Sequence, residues 1–454
     1  MPKLLLNFSA LMLLLTTLES QAKITPESAS QLEGPHLTPL GAKRKGNFEK
    51  TIPAWTGGIT SFPLGYEVGE RHVDPFADDA KLFTINAKNV DQYIDKLSPG
   101  QQALLKAYPD SWHMDIYPSR RSASYPEWVY SAIIKNATEA EVITKGKGGV
   151  INAKISSPFP IPSKGIEVIW NHNLRWRGVH ISRSSGQAPV TREGLYNVIL
   201  SLQEIVIPYA SSKASSFKER HQNLMMALKT KTIQPALLSG NAGLFYEPIN
   251  QTKDPRKSWL YNRNSRRVLR VFAEYDFPAP NSDNLRAIDE FELYFGAPDR
   301  FRWKLLGKKE MYIPYNAYRL DSDKYGYSDI LARRHINPDL ARYELHRVWV
   351  VEGILKQGEK HIYSRRVFYL DEDSWQISVA DNYDQDGNLW RTSEAHGINY
   401  YDVPVHWNTL EVYYDFKKQR YLAVGLDNAR NAYKFSEEAE PKDFSPNALL
   451  YYIR

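Results

Sequence analysis

The last third of the chain alternates apolar and polar positions, with short polar turns between the runs. Trp375, Ile377 and Val379 alternate with Gln376 and Ser378, while Leu410, Val412, Tyr414 and Phe416 oppose Thr409, Glu411 and Asp415. A two-residue period is the mark of a strand, because successive side chains leave on opposite faces. Turn residues separate the runs at Lys356-Gln357-Gly358-Glu359, before a strand starting at His361, and at Asp371-Glu372-Asp373-Ser374, Asp386-Gly387-Asn388 and Lys417-Lys418-Gln419. Turns recurring about every ten residues predict an antiparallel meander rather than strands joined by crossover helices. The alternation predicts one buried or cupped face and one wet face. A curved sheet of this size closes into a barrel or takes a cover. The covers on offer are the amino-terminal segment and a helix near residues 217–230, where Phe217, Leu224, Met225 and Leu228 are spaced for one helical face.

The amino-terminal part reads differently. Lys3 precedes an apolar run from Leu4 to Leu15, and Ser20-Gln21-Ala22 follows, so residues 1–22 read as a signal peptide cleaved after Ala22. The competing reading is a membrane anchor, but the run is shorter than the ~20 residues a span needs. Residues 23–164 are irregular, rich in Pro, Gly and Asp, and predict a wrapping segment with short helices. Within it, Ser98-Pro99 with Gln101 predicts a capped helix start. The flexible Gly146-Lys147-Gly148-Gly149 and the extended path set by Pro158, Pro160 and Pro162 mark the boundary, leaving residues 165–454 as the main β domain.

Composition adds to this picture. The chain carries 29 Tyr, 11 Trp and 17 Phe, an aromatic fraction of 13% that favours strands. It has no cysteine, so no disulfide framework holds the fold and no lipidated cysteine anchors it. Export together with that absence predicts a soluble, non-lipidated periplasmic protein of a Gram-negative cell. The formal charge of +6 is spread along the chain, a poor fit to nucleic acid and a better one to anionic head groups or an acidic protein.

Catalytic signatures are missing: the sequence has no Gly-x-Ser-x-Gly elbow, His-Glu-x-x-His, phosphate loop or dinucleotide fingerprint, and no motif implies a cofactor or a metal. His335 and His346, like His396 and His406, lack metal-ligand spacing and read as structural or surface residues. Asn382 to Asn388 places Asp384, Asp386 and Gly387 as a calcium loop would, but Ser393 stands where a bidentate Glu is required, so a hairpin turn fits better. Asp289-Glu290 and Asp371-Glu372-Asp373 are candidate acid pairs for a secreted hydrolase, against the plainer reading as solvated turns or helix ends. Arginines beside aromatic residues can grip a head group by stacking and bidentate hydrogen bonds, against the plainer reading as a solvated strand face. Here Arg263, Arg266, Arg267 and Arg270 flank Trp259 and Tyr261, and Arg300, Arg302, Lys304, Lys308 and Lys309 surround Trp303.

Trp259-Leu260-Tyr261-Asn262 followed by Arg266-Arg267-Val268-Leu269-Arg270 resembles the strand-turn-strand signature of outer-membrane lipoprotein-sorting proteins, relatives of the LolA and LolB carriers. The blocks Gly57-Gly58, His72-Val73-Asp74-Pro75-Phe76-Ala77-Asp78-Asp79, Tyr294-Phe295-Gly296-Ala297-Pro298-Asp299-Arg300 and the run from Asn337 to Val350 resemble a large proteobacterial family of unknown function described as lipoprotein-sorting-like. That resemblance covers nearly the whole mature chain, whereas the tie to the carriers covers only the β region. It implies an incomplete antiparallel β-barrel, a half-barrel with its convex face to water and its concave face closed by helices over acyl chains. It also implies partners: an inner-membrane exporter of the resistance-nodulation-division type and an outer-membrane β-barrel protein. The carriers are much shorter, so residues 23–164 have no counterpart there.

Acyl chains gain about 0.8 kcal/mol per methylene on leaving water, so an apolar groove holds them without a catalytic group. The lining candidates are Trp259, Tyr261, Trp303, Trp349, Phe368, Trp375 and Trp390, with Arg266, Arg267, Arg270 and Arg302 as head-group candidates; for each, plain core or surface is the competing assignment. The leading expectation is a soluble periplasmic binding or transfer protein for a lipid or other hydrophobic cargo. Its rivals are a secreted hydrolase and a cargo-free adaptor of an envelope complex.

Overall fold

The strands break where the sequence places its turns. A computed structural model describes residues 24–452 apart from 145, 214, 215, 273, 437 and 438; the predicted signal peptide lies outside the described residues. The amino-terminal segment supplies β1 (Phe83–Ile85), β2 (Met114–Tyr117) and a separate hairpin of β3 (Glu141–Ile143) with β4 (Gly149–Ile151). Next come β5 (His180–Val190), β6 (Ile199–Val206), β7 (Leu224–Gln234), β8 (Ala242–Pro248), β9 (Lys257–Asn262) and β10 (Arg267–Val271), each bonded to the next. The meander is β11 (Phe301–Pro314), β12 (Tyr343–Leu355), β13 (Arg365–Asp371), β14 (Ile377–Tyr383), β15 (Leu389–Tyr400), β16 (Val405–Asp415) and β17 (Arg420–Leu426), and β18 (Lys434–Ser436) pairs with the start of β5. Because β17 also pairs with β5, the two runs form one sixteen-stranded sheet.

Every pairing is antiparallel except β12 with β2. Among the described residues β10 bonds only β9 and β11 only β12, so the sheet is curved but unclosed, an incomplete barrel. The strand after the first turn starts at Arg365, not at the expected His361, whose ring lies 3.2 Å from Asp289.

The expected helix over residues 217–230 is corrected. Helical backbone there is confined to Ser216–Arg220, and Leu224, Met225 and Leu228 belong to β7. A register shift between Leu224 and Met226 and burial on both faces remove the alternation a strand normally shows. The expected wet face is corrected too. Gln376, Ser378, Thr409 and Glu411 are buried: Gln376 accepts from Arg175, ahead of the meander, and Thr409 donates to Asp321, in the connection between β11 and β12. On β13 the adjacent Val367 and Phe368 point to opposite faces, and each belongs to its own apolar cluster.

The helices are short and include α1 (Pro26–Ser30), α2 (Pro99–Ala107), α3 (Glu127–Glu139), α4 (Gly165–Leu174) and α5 (Ser216–Arg220). The capped start expected at Ser98 is present: its hydroxyl accepts from the Gln101 N–H and the Gln101 side chain accepts from the Ser98 N–H, both at 3.1 Å. This end of α2 docks on the meander. The Gly100 N–H and the Ser98 and Thr392 hydroxyls donate to Asp381, while Gln101 Nε2 and the Tyr343 hydroxyl donate to Glu394. Gly100 sits so close that a Cβ there would lie 2.1 Å from Asp381 Oδ1.

Burial pushes the Glu394 carboxyl up to about 7 from an ordinary 4.5. Across that window the folded chain keeps a proton that the unfolded chain has released, so this contribution to stability is complete below 4.5 and lost as pH rises through 7. A Glu394→Gln variant removes the titration. Its stability relative to the native chain is expected to rise between about pH 5 and pH 7, by up to about 1.4 kcal/mol per pH unit, and then to level off. Urea unfolding across that range measures it; a difference independent of pH would rule out the proton on Glu394.

Candidate functional site

Between the inner face of β5–β10 and the chain segment 279–295 lies a cavity of about 490 Å3, within the ~300–1,000 Å3 usual for ligand sites. Strand alternation builds it. Met226, Leu228, Thr230 and Thr232 enter from β7, Phe245 and Glu247 from β8, Leu269 and Val271 from β10. The intervening Leu224, Ala227 and Leu244 face the other way, under Phe444 and Leu449 of the carboxy-terminal segment. Gly243 makes room for the Phe245 ring, since a Cβ there would lie 2.8 Å from it. Apolar groups thus come mainly from the strands near the free edge. Toward the middle of the sheet the lining turns polar, with Arg183, Ser185 and Gln187 on β5, Ser201 and Gln203 on β6, and Glu411 on β16.

The opposite wall depends on a strained turn. After Glu290 the 3-10 helix Ile288–Leu293 breaks, with Phe291 extended and Glu292 and Leu293 at positive φ of 52° and 68°. For residues other than glycine each such position costs about 1–3 kcal/mol, so surrounding contacts must hold it. Buried Glu292 accepts from Arg175 at 2.6 Å and Arg177 at 2.5 Å. Burial alone would raise its carboxyl, but the paired guanidinium groups hold it down to about 2. Arg366 anchors the start of the same turn, donating to Asp289 at 2.7 Å, and the turn delivers Phe291 and Phe295 to the cavity.

Acidic groups in the cavity are shifted the other way. Burial pushes Glu247 up to about 6 despite Arg256 at 3.5 Å, and it also raises Glu411, which accepts from the Tyr413 hydroxyl at 2.5 Å.

Of the residues singled out in the sequence, Tyr261 borders the cavity but packs, like Trp259, in the cluster on the far face, where Trp259 lies against Tyr246. Trp303 crosses Gly353, where a Cβ would meet the ring at 2.7 Å, and packs beside fully buried Phe368. Trp349 and Trp375 stack on each other at 5.9 Å, and Trp390 sits between Arg391 and Lys417. Those five lie outside the lining described above. Arg266 forms the exposed β9–β10 turn; Arg267 pairs across the strands with the lining residue Asn262, and Arg270 shares the far face with Val268. Arg302 is exposed on β11.

The acidic pairs are not the solvated turns expected of them. Asp371, Glu372 and Asp373 are buried; Arg121 donates to both Asp373 oxygens at 2.6 and 2.7 Å, and Lys308 reaches Glu372 at 2.8 Å. Asp289 and Glu290 are buried beside Arg366. His346, Asp371 and Asp373 offer metal-ligand atoms within 4.8 Å of one another, yet Arg121 occupies Asp373 and Glu344 lies 3.1 Å from His346. Burial and neighbouring Asp373 raise Asp371, while Arg121 overcomes burial to hold Asp373 low.

A relative in Pseudomonas aeruginosa, uncharacterized protein PA3922, is 43% identical over 449 residues, covering 98% of both chains. Among solved structures, a DUF1329 family protein from Desulfovibrio piger superposes with a TM-score of 0.42 at 12% identity, over 60% of this chain and 92% of that one. The LolA superfamily protein NE2245 from Nitrosomonas europaea gives 0.38 at 10%, over 63% of this chain and 100% of that one. These scores are too low to carry a ligand or an activity across. Residues 84–450 match the family described as "Protein of unknown function (DUF1329)", and the chain belongs to that family.

Proposed function

We propose that the protein is a soluble periplasmic carrier that shields a hydrophobic cargo in the cavity between β5–β10 and residues 279–295. The observation behind this reading is the lining: Leu228, Phe245, Leu260, Leu269 and Phe291 converge on one 490 Å3 space inside an unclosed sheet. Each methylene moved from water into such a lining gains about 0.8 kcal/mol, so a carrier needs no reacting group. Among the described residues no helix is long and apolar enough to cross a membrane, which fits a shuttle. The buried acid pairs support this reading over a hydrolase, since arginines already hold Asp289 and Asp373. In this reading the cargo passes between a resistance-nodulation-division exporter and an outer-membrane β-barrel protein.

Mass spectrometry of an organic extract of the protein purified from its native host tests the proposal. An alkyl-chain compound recovered in near-stoichiometric amount is the expected result. Extracts that hold nothing apolar beyond a mock purification, from a protein that also takes up no alkyl probe, would overturn it.

A further inference from the structure

The arginines facing the cavity differ in what they already hold. Arg183 donates through Nε to Gln203 at 2.8 Å and lies over the rings of Trp407 and Tyr433 at 4.9 and 5.2 Å. Arg256 has the Glu247 carboxylate at 3.5 Å. Among the described residues the Arg286 side chain has only the Tyr413 ring, 5.7 Å from its guanidinium carbon; its Nε, like that of Arg256, is buried without a hydrogen-bond partner, but no carboxylate lies within ion-pair distance of Arg286. Glu411 is the acid that feels its charge, but that carboxylate already accepts from the Tyr413 hydroxyl at 2.5 Å and forms no ion pair with Arg286. Arg286 is half-buried, a buried guanidinium N–H without an acceptor is costly, and the planar fork matches a carboxylate or phosphate.

The backbone around Arg286 is fixed. Its carbonyl accepts from the Ala279 N–H at 2.9 Å and the Ser282 hydroxyl at 3.2 Å, and Arg391 donates to the carbonyls of Asn284 at 2.6 Å and Leu285 at 3.2 Å. A cation held in place beforehand loses little freedom on binding. From it the lining runs to Leu228, Phe245, Leu260 and Leu269 near the free edge.

We propose that Arg286 receives the anionic head, a carboxylate or a phosphate monoester, of a single-chain amphiphile whose alkyl tail lies along Leu228, Phe245, Leu260 and Leu269. This deepens the carrier reading and rests on it. The chain length and the source of the head group, fatty acid or lysophospholipid-like, are separated by the probes below.

Titration calorimetry of the purified full chain with decanoate, decyl phosphate and 1-decanol tests the assignment. At least one anion is expected to bind tenfold or more tighter than the alcohol, and the tighter anion identifies the head group. Arg286→Gln is expected to bring the ratio of anion to alcohol affinity close to one, and Arg286→Lys to keep part of it. If decanol binds as well as both anions, or if the preference survives in Arg286→Gln, the head-group assignment falls while the carrier reading stands. If none of the three binds, both fall. If Arg286→Gln does not fold, Arg286→Lys decides: a ratio as high as that of the native chain would place the head group on another cation of the lining.

Discussion

Replacing Glu292 by Gln is expected to lower the unfolding free energy by about 3–5 kcal/mol, because it leaves two buried guanidinium groups without their counter-charge. Arg175 and Arg177 meet on one oxygen of this carboxylate, and among the described residues neither has an alternative anion within ion-pair distance. The substitution also frees a turn held at positive φ, so the strain at Glu292 and Leu293 is released as the wall moves. Chemical unfolding monitored by tryptophan fluorescence reads the loss. A decrease below about 1 kcal/mol would show that the ion pairs do not hold the turn, since that is the range of an ordinary surface pair.

Leu228→Glu is expected to reduce binding of an alkyl ligand at least a hundredfold, about 3 kcal/mol. Leu228 is half-buried on β7 and lines the apolar stretch of the cavity, so a carboxylate there must lose water against the tail it faces. The same side chain is not part of the fully buried core, so folding should be retained. Displacement of an environment-sensitive fatty-acid probe measures the affinity, and a circular dichroism melt checks the fold. A variant that binds the probe as the native chain does would move the tail away from β7.

The meander was legible because its signals are local. Glu372 to Ser374, Asp386 to Asn388 and Lys417 to Gln419 each fall between the strands they were expected to separate, with Asp371 ending β13, and the Ser98 cap depends on a spacing of three residues. The cavity was harder to read. Its central strands present Ser185, Gln187, Ser201 and Gln203 inward, residues that look like a solvent face, while the conspicuous tryptophans Trp303, Trp349 and Trp375 pack against one another or against neighbouring side chains. Arg286 gave no sequence signal, because its role depends on which arginines find partners across the fold. The alternation of Met226, Leu228, Thr230 and Thr232 was the signal available, and the bulge near Leu224 together with burial on both faces disguised it as a helix.

The unclosed sheet has one further consequence. The outer edge of β10 presents backbone donors and acceptors to which no described strand binds, the template on which a second chain could add. Arg267 and Arg270, one on each face of that strand, set positive charge on both sides of the exposed edge. Two copies approaching edge to edge would bring these charges together, so the same short strand that leaves the barrel open also discourages stacking into fibrils at high concentration.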